Sequence, residues 1–233
     1  MDIGFVSGAA IAIKQIRQQL RRAKVEQILI REKLETELKY LRNQTNPHFL
    51  FNTLNNIYAL ARKKSDETPD AVMKLSKLLR FMLYDAAKPL ISVDDEIKML
   101  EDYIDLEKIR YNGKLTVSFL KDISDDHELI SPLLLLPFIE NAFKHGASES
   151  RFISFIHVEM KLHDGILKFS VKNSKENNGC KCAGATIGLN NVKRQLELLY
   201  TEYEMQVLNE TSVFIVLLTI NLKSYAKNTL SHR

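Results

Sequence analysis

"SPLLLLPFIENAFKHG" occupies residues 131–146, and "FISFIHVEMKL" at 152–162 and "ILKFSVKN" at 166–173 come after it. The first segment is a helix by its punctuation. Ser131 is the expected N-cap, Pro132 falls in the first turn and Gly146 is the expected terminator. The other two alternate apolar and polar residues and are separated by "HDG" (163–165), which predicts a strand hairpin. A helix feeding an antiparallel hairpin implies helices laid on one face of a sheet, and hence an α+β fold. Outward from this run, "LTVSFL" (115–120), "EMQVLN" (204–209) and "SVFIVLLTINL" (212–222) read as further strands. A polar loop with glycines is expected from Ser174 to Thr186, and "IGLNNVKRQLELLY" (187–200) is the helix after it.

The first half reads as helices only. "TNPHFLFNTLNNIY" (45–58) has helical apolar spacing that continues to about Lys64, and "SDETPD" (65–70) breaks it. Thr68 and Pro69 then restart a helix in cap-then-proline order, with Val72, Leu75, Leu79, Met82 and Leu83 as its expected apolar face. A third helix runs from Val93 to Tyr111, capped by Ser92 and carrying Asp94, Asp95 and Glu96 in its first turn. Earlier still, one heptad seam carries Ile13, Leu20, Gln27, Leu34 and Leu41, and the other carries Ile16, Ala23, Ile30 and Glu37. Charged flanks make this a parallel coiled-coil pattern, weakened by the two polar seam positions. The expected divisions are therefore 1–41 (a membrane-proximal coiled-coil helix), 42–112 (helical), 113–224 (mixed) and 225–233 (a tail).

Composition excludes the extremes. The chain has 233 residues, 27% of them charged and 45% hydrophobic, with a formal net charge of +4. That charge is too small to argue for direct nucleic-acid binding. Lys14, Arg17, Arg21, Arg22 and Lys24 nevertheless crowd together without an acid among them. They come after the uncharged stretch Ile3–Ile13, an order that suits the cytoplasmic end of a transmembrane helix and is reversed from that of a signal peptide. An amphipathic helix start is the alternative. Cys180 and Cys182 are too few for a disulfide framework and read as reduced loop thiols.

Two motifs carry candidate chemistry. In "IENAFKHG" the three- and four-residue spacing groups Glu140, Asn141, Lys144 and His145 on neighbouring turns. A carboxamide oxygen suits Mg²⁺ and a lysine suits phosphate, although a solvated polar helix end has the same composition. In "GATIGLNNV", Gly184 and Gly188 are expected to precede a helix whose first amides can receive phosphate oxygens.

Taken in order, these motifs give the chain from about Leu41 to Leu222 a family resemblance. It resembles the bacterial sensor histidine kinases of the LytS/YehU type. Residues 46–52, "NPHFLFN", match their phosphoacceptor motif at every position, "ENAFKHG" resembles their N box, and "IGLNNVKRQLELLY" resembles their glycine box and following helix. The resemblance implies a helical dimerisation and phosphoacceptor region before a Bergerat-type ATP-binding α/β sandwich. It implies that His48 accepts the γ-phosphoryl group of ATP, that Asn141 holds Mg²⁺, and that Lys144 and His145 lie near the phosphates. Asn173, Gly184, Gly188, Leu189 and Asn191 fall in the nucleotide-binding motifs, while Asn52 and Glu140 are the remaining catalytic candidates. The implied partners are a second copy of the chain, a response regulator of the DNA-binding kind, and a membrane reached through the N-terminus of a bacterial inner-membrane protein.

The chemistry is reasonable, because a neutral imidazole is an available nucleophile near pH 7. Transfer then depends on positioning and charge neutralisation. Three positions depart from the wider histidine kinase pattern. Asn173-Ser174-Lys175 stands where an Asp-x-Gly is common, Thr186 replaces a second glycine, and Phe49 comes after His48 where others place an acid. A nucleotide-binding coiled-coil adaptor without catalysis, or an ATP-hydrolysing protein of the same fold, are the competing readings.

Overall fold

The computed structural model describes residues 15–22, 24, 47–111, 115–124, 127–146, 154–175 and 183–226, with backbone alone at 47, 48, 145, 146 and 183–187. The chain divides into two units, Met1–Gln44 and Thr45–Arg233. In the first unit, residues 15–22 and 24 are helical and solvent-exposed. The remainder of the expected coiled coil, the stretch Ile3–Ile13 and both cysteines lie outside the described residues. Among the described residues no helix is long and apolar enough to cross a membrane.

The second unit begins with α1 (Pro47–Arg62), α2 (Thr68–Arg80, continuing as a π-helical turn Phe81–Asp85), β1 (Ile91–Ser92) and α3 (Val93–Tyr111). Next come β2 (Leu115–Ile123), β3 (Leu129–Ile130), α4 (Leu136–Gly146), β4 (Ser154–His163) and β5 (Ile166–Ser174). The fold closes with α5 (Ala183–Leu199), β6 (Tyr203–Asn209) and β7 (Val213–Asn221). Five strands form one sheet in the order β2-β4-β5-β7-β6, and β1 pairs separately with β3. Among the described strands only the β2–β4 pair is parallel; it is joined by the crossover that contains α4. The remaining pairs of the five-stranded sheet are antiparallel.

Alternation holds on the β4–β5 hairpin but not on β2, where "LTVSFL" reads as alternating in the sequence: Val117, Ser118 and Phe119 are all half-buried and Leu120 is exposed. On β4 the side chains of Ile156, Val158, Met160 and Leu162 are buried while His157, Lys161 and His163 face solvent. Their partners Leu167, Phe169 and Val171 on β5 complete the inner face, against which Phe138 of α4 packs at 6.0 Å from the Phe169 ring. The hairpin loop has two residues, Asp164 (φ 54°) and Gly165 (φ 81°), the paired left-handed geometry that matches strand twist. The positive φ of Gly165 is what requires glycine there; a Cβ would also stand 2.7 Å from Lys223 Cε, a contact the flexible lysine relieves by moving.

Several local expectations are corrected. Ser131 does not cap a helix: it is fully buried, and its N–H donates to the Tyr200 hydroxyl at 3.0 Å. Leu133 takes a left-handed φ of 58°, which stops a helix from running on from Pro132, and α4 starts at Leu136 instead. The turn is held by Glu96 of α3, wholly buried, whose carboxylate oxygens accept the N–H groups of Leu133 (3.0 Å) and Leu135 (3.2 Å). At the other end α4 closes at Gly146, and 147–153 lie outside the described residues. Thr68 is likewise the first helical residue and not a cap; its hydroxyl donates to the Ser65 carbonyl at 2.8 Å.

The buried face of α2 is Ala71, Leu75 and Leu78, continued by Phe81, while Val72 and Leu83 are exposed. The expected stripe is thus met in part: Leu75 is buried and Leu79 and Met82 are half-buried, but Ala71, Leu78 and Phe81 are buried in place of the expected Val72 and Leu83. By contrast Ser92 caps α3 as expected, accepting the Asp95 N–H at 3.1 Å. The loop expected to run to Thr186 ends earlier, since α5 already includes Ala183.

Candidate functional site

His48 is the second residue of α1, after Pro47, whose missing N–H costs nothing at a helix start. One turn on, Asn52 is half-buried. Glu140 and Asn141 are half-buried on α4, Lys144 is exposed one turn later, and His145 belongs to the same last turn. Asn173 lies near the end of β5, buried to 1% exposure, with its amide nitrogen donating to the Ser174 carbonyl at 2.9 Å. Gly184 and Gly188 lie within α5 and do not precede it; Gly188 is exposed, Leu189 buried and Asn191 half-buried. A Cβ built on Gly188 meets nothing within 4 Å. Three elements thus carry the candidates of the mixed half: α4, the β5 strand beneath it, and α5.

The sequence reads Phe49, Leu50, Phe51 and Leu54 as the packing surface of α1, and within this one chain Phe49 is buried and Leu50 half-buried. Phe51 and Leu54 are exposed, whereas Phe49 is 4% exposed and stacks on Tyr103 of α3, with ring centroids 4.6 Å apart and planes 25° apart. Tyr103 in turn meets Phe143 of α4 edge-on at 6.2 Å. Phe143 carries a second aromatic neighbour, Tyr111, at 6.0 Å, and the Tyr111 hydroxyl donates to the Phe143 carbonyl at 3.4 Å. The residue after His48 is therefore linked through a single ring to the helix that bears Glu140 and Asn141.

Around this aromatic contact sits a buried acidic group. Glu107 of α3 accepts from the Tyr103 hydroxyl at 3.5 Å and pairs with Arg110 at 3.4 Å. Burial, with the Glu107 charge second, pushes the Glu140 carboxyl up to about 7. Burial and then the nearby Glu140 and Glu107 charges raise the Tyr103 hydroxyl well above the usual phenol range. Glu140 can thus take up or release a proton near neutrality, the property a general acid or base needs. Sequence reasoning missed Tyr103, Glu107 and Arg110. Their spacing on α3 at i, i+4 and i+7 marks one helix face, and that was the available signal.

The histidine kinase family profile matches residues 36–115, the stretch that holds His48 and α1 to α3. The sensor histidine kinase YpdA of Escherichia coli is 30% identical over 205 residues, which cover 83% of this chain and 36% of that protein. The chain belongs to the histidine kinase family. Other relatives are named Sensor protein LytS. That of Staphylococcus saprophyticus is 34% identical over 141 residues, covering 60% of this chain and 23% of its own length. That of Enterococcus faecalis is 32% identical over 143 residues, covering 61% and 24%. This histidine kinase chain therefore spans about a quarter to a third of the length of the curated relatives it matches. A solved histidine kinase domain from Erythrobacter litoralis EL346 aligns over 85% of this chain and 98% of that one, at 19% identity and a TM-score of 0.47.

Proposed function

We propose that the chain is the catalytic part of a two-component sensor kinase, which phosphorylates its own His48 from Mg-ATP and passes the phosphoryl group to a response-regulator aspartate. The observation that carries this is the family match across 36–115, with "NPHFLFN" at the start of α1 and the adjoining Phe49 docked toward the "ENAFKHG" helix. On this reading residues 42–112 are the dimerisation and phosphoacceptor region and residues 113–224 bind the nucleotide.

The residues present suit the nucleotide. Asn173 is uncharged where burial would penalise a carboxylate, and its engaged amide nitrogen leaves its oxygen as the group to meet an adenine amino group. Asn141 offers an oxygen ligand to Mg²⁺, while Lys144 and His145 supply positive charge or hydrogen bonds for phosphate oxygens. Gly184, Gly188, Leu189 and Asn191 form the α5 side of the site; the bare surface at Gly188 admits close approach. When bound, Mg-ATP supplies the transferable phosphoryl group and the charge neutralisation. A neutral His48 nitrogen takes the phosphoryl group as the bridging oxygen departs with ADP. Asn52 orients the ring, and Glu140 accepts the imidazole proton.

Three further features belong to the proposal. Phe51, Leu54 and Tyr58 form an exposed apolar stripe at helical spacing on α1, which supports a homodimer. The uncharged run 3–13 and the basic cluster after it support attachment to the inner face of a membrane. No feature calls for direct nucleic-acid contact; the response regulator is the partner suited to that. The test is incubation with Mg-[γ-³²P]ATP. His48 should carry acid-labile, alkali-stable label, and Asn141→Ala should reduce it by about two orders of magnitude or more. Acid-stable label, or full labelling of Asn141→Ala, would contradict the assignment.

A further inference from the structure

We infer that Tyr103 is a positioning residue for phosphoryl transfer: its ring couples the first turn of the His48 helix to the helix that bears Asn141. The inference rests on the kinase reading above and adds a residue that lies outside all three motifs. Three observations support it. Phe49, adjacent to His48, is almost wholly buried although α1 otherwise exposes Phe51, Leu54 and Tyr58. The surface that covers it is a stacked tyrosine ring at 4.6 Å, and that ring contacts Phe143, two residues beyond Asn141. Tyr103 itself is 2% exposed, so its ring is fixed by packing on both sides.

An aromatic stack fixes plane and distance more tightly than an aliphatic contact does, because its attraction depends on ring offset and tilt. A helix start tethered at one ring has less freedom to pivot, and transfer is steeply sensitive to misplacement of the nucleophile. Tyr103 therefore sets how often His48 lies in reach of the phosphoryl group. Nucleotide affinity is set elsewhere, by residues on α4, β5 and α5.

The ring, and not the hydroxyl, carries the effect, since the bond to Glu107 is long at 3.5 Å. Tyr103→Phe should keep the single-turnover rate of His48 labelling within about threefold of the parent, whereas Tyr103→Leu should lower it about tenfold or more. Both should bind a fluorescent ATP analogue with the parent's dissociation constant within about twofold. Phe49→Leu, which removes the other half of the stack, should reproduce the Tyr103→Leu rate loss, and it carries the test if Tyr103→Leu does not fold. A Leu variant of either residue that labels at the parental rate overturns the inference. So does one that labels faster, which would make the stack a restraint, or one that loses binding and rate in proportion. Absence of label on the unaltered chain overturns the kinase reading itself, so the two failures are distinct.

Discussion

Glu140→Gln should make the stability of the fold less dependent on pH, in a direction and by an amount that the structure sets. The Glu140 carboxyl stands at about 7 in the folded chain against an ordinary 4.5. The folded state therefore holds a proton that the unfolded state releases. Stability from this group is fully present below pH 4.5 and is lost as pH rises through 7. Between about pH 5 and about pH 8 the loss comes to roughly 2–3 kcal/mol, at about 1.4 kcal/mol per tenfold change in proton affinity. Glutamine resembles the protonated acid and does not ionise. Parent and variant should consequently have similar unfolding free energies at about pH 5, and at about pH 8 the variant should be the more stable by roughly 2–3 kcal/mol. Urea unfolding at both pH values, at one protein concentration, measures the double difference, from which other titrating groups cancel. Burial is the larger cause and the Glu107 charge the smaller, so Glu107→Gln should recover only part of the effect. A variant less stable than the parent by the same amount at both pH values would mark Glu140 as an ionised, well-partnered carboxylate, and its role as a proton carrier near neutrality would fall.

Other outcomes rest on particular contacts. Glu96→Ala strands the buried N–H groups of Leu133 and Leu135 and should cost roughly 2–5 kcal/mol, read as a lower unfolding midpoint; a loss under about 0.5 kcal/mol would show that the turn holds without it. Gly188→Ala meets open space within a helix and should stabilise the fold by about 0.5–1 kcal/mol while weakening ATP binding, so equal or tighter binding would remove Gly188 from the nucleotide site.

Elements with a strong local signal were legible in the sequence. The β4–β5 hairpin and the Ser92 cap needed only alternation, turn chemistry and a side-chain oxygen at the right offset. Legibility failed where tertiary contacts override local preference. Ser131 has the composition of a cap, but the left-handed turn at Leu133, held by the buried Glu96 carboxylate 37 residues away in sequence, delays α4 to Leu136. On α2, Leu75 was legible, but the buried stripe also takes in the small Ala71, which a hydrophobicity count passes over in favour of the exposed Val72. The β1–β3 pairing was invisible, because strands of two residues carry no period. The candidate site divides in the same way. Its motifs, "NPHFLFN" and "ENAFKHG", stand in the sequence, and the spacing of Glu140, Asn141 and Lys144 on one helix could be read from it. The link between them could not, since Phe49, Tyr103 and Phe143 belong to three helices and meet only in the fold.

Whether His48 is the phosphoacceptor is decided by locating the phosphate. The protein is incubated with Mg-ATP, digested at alkaline pH, and the labelled peptide is sequenced by mass spectrometry, alongside His48→Gln. A single phosphorylated residue, His48, is expected within the peptide that contains "NPHFLFN", and no phosphopeptide from the variant, which should still bind ATP. Phosphate on another residue, or undiminished phosphorylation of His48→Gln, would rule out His48 as the acceptor.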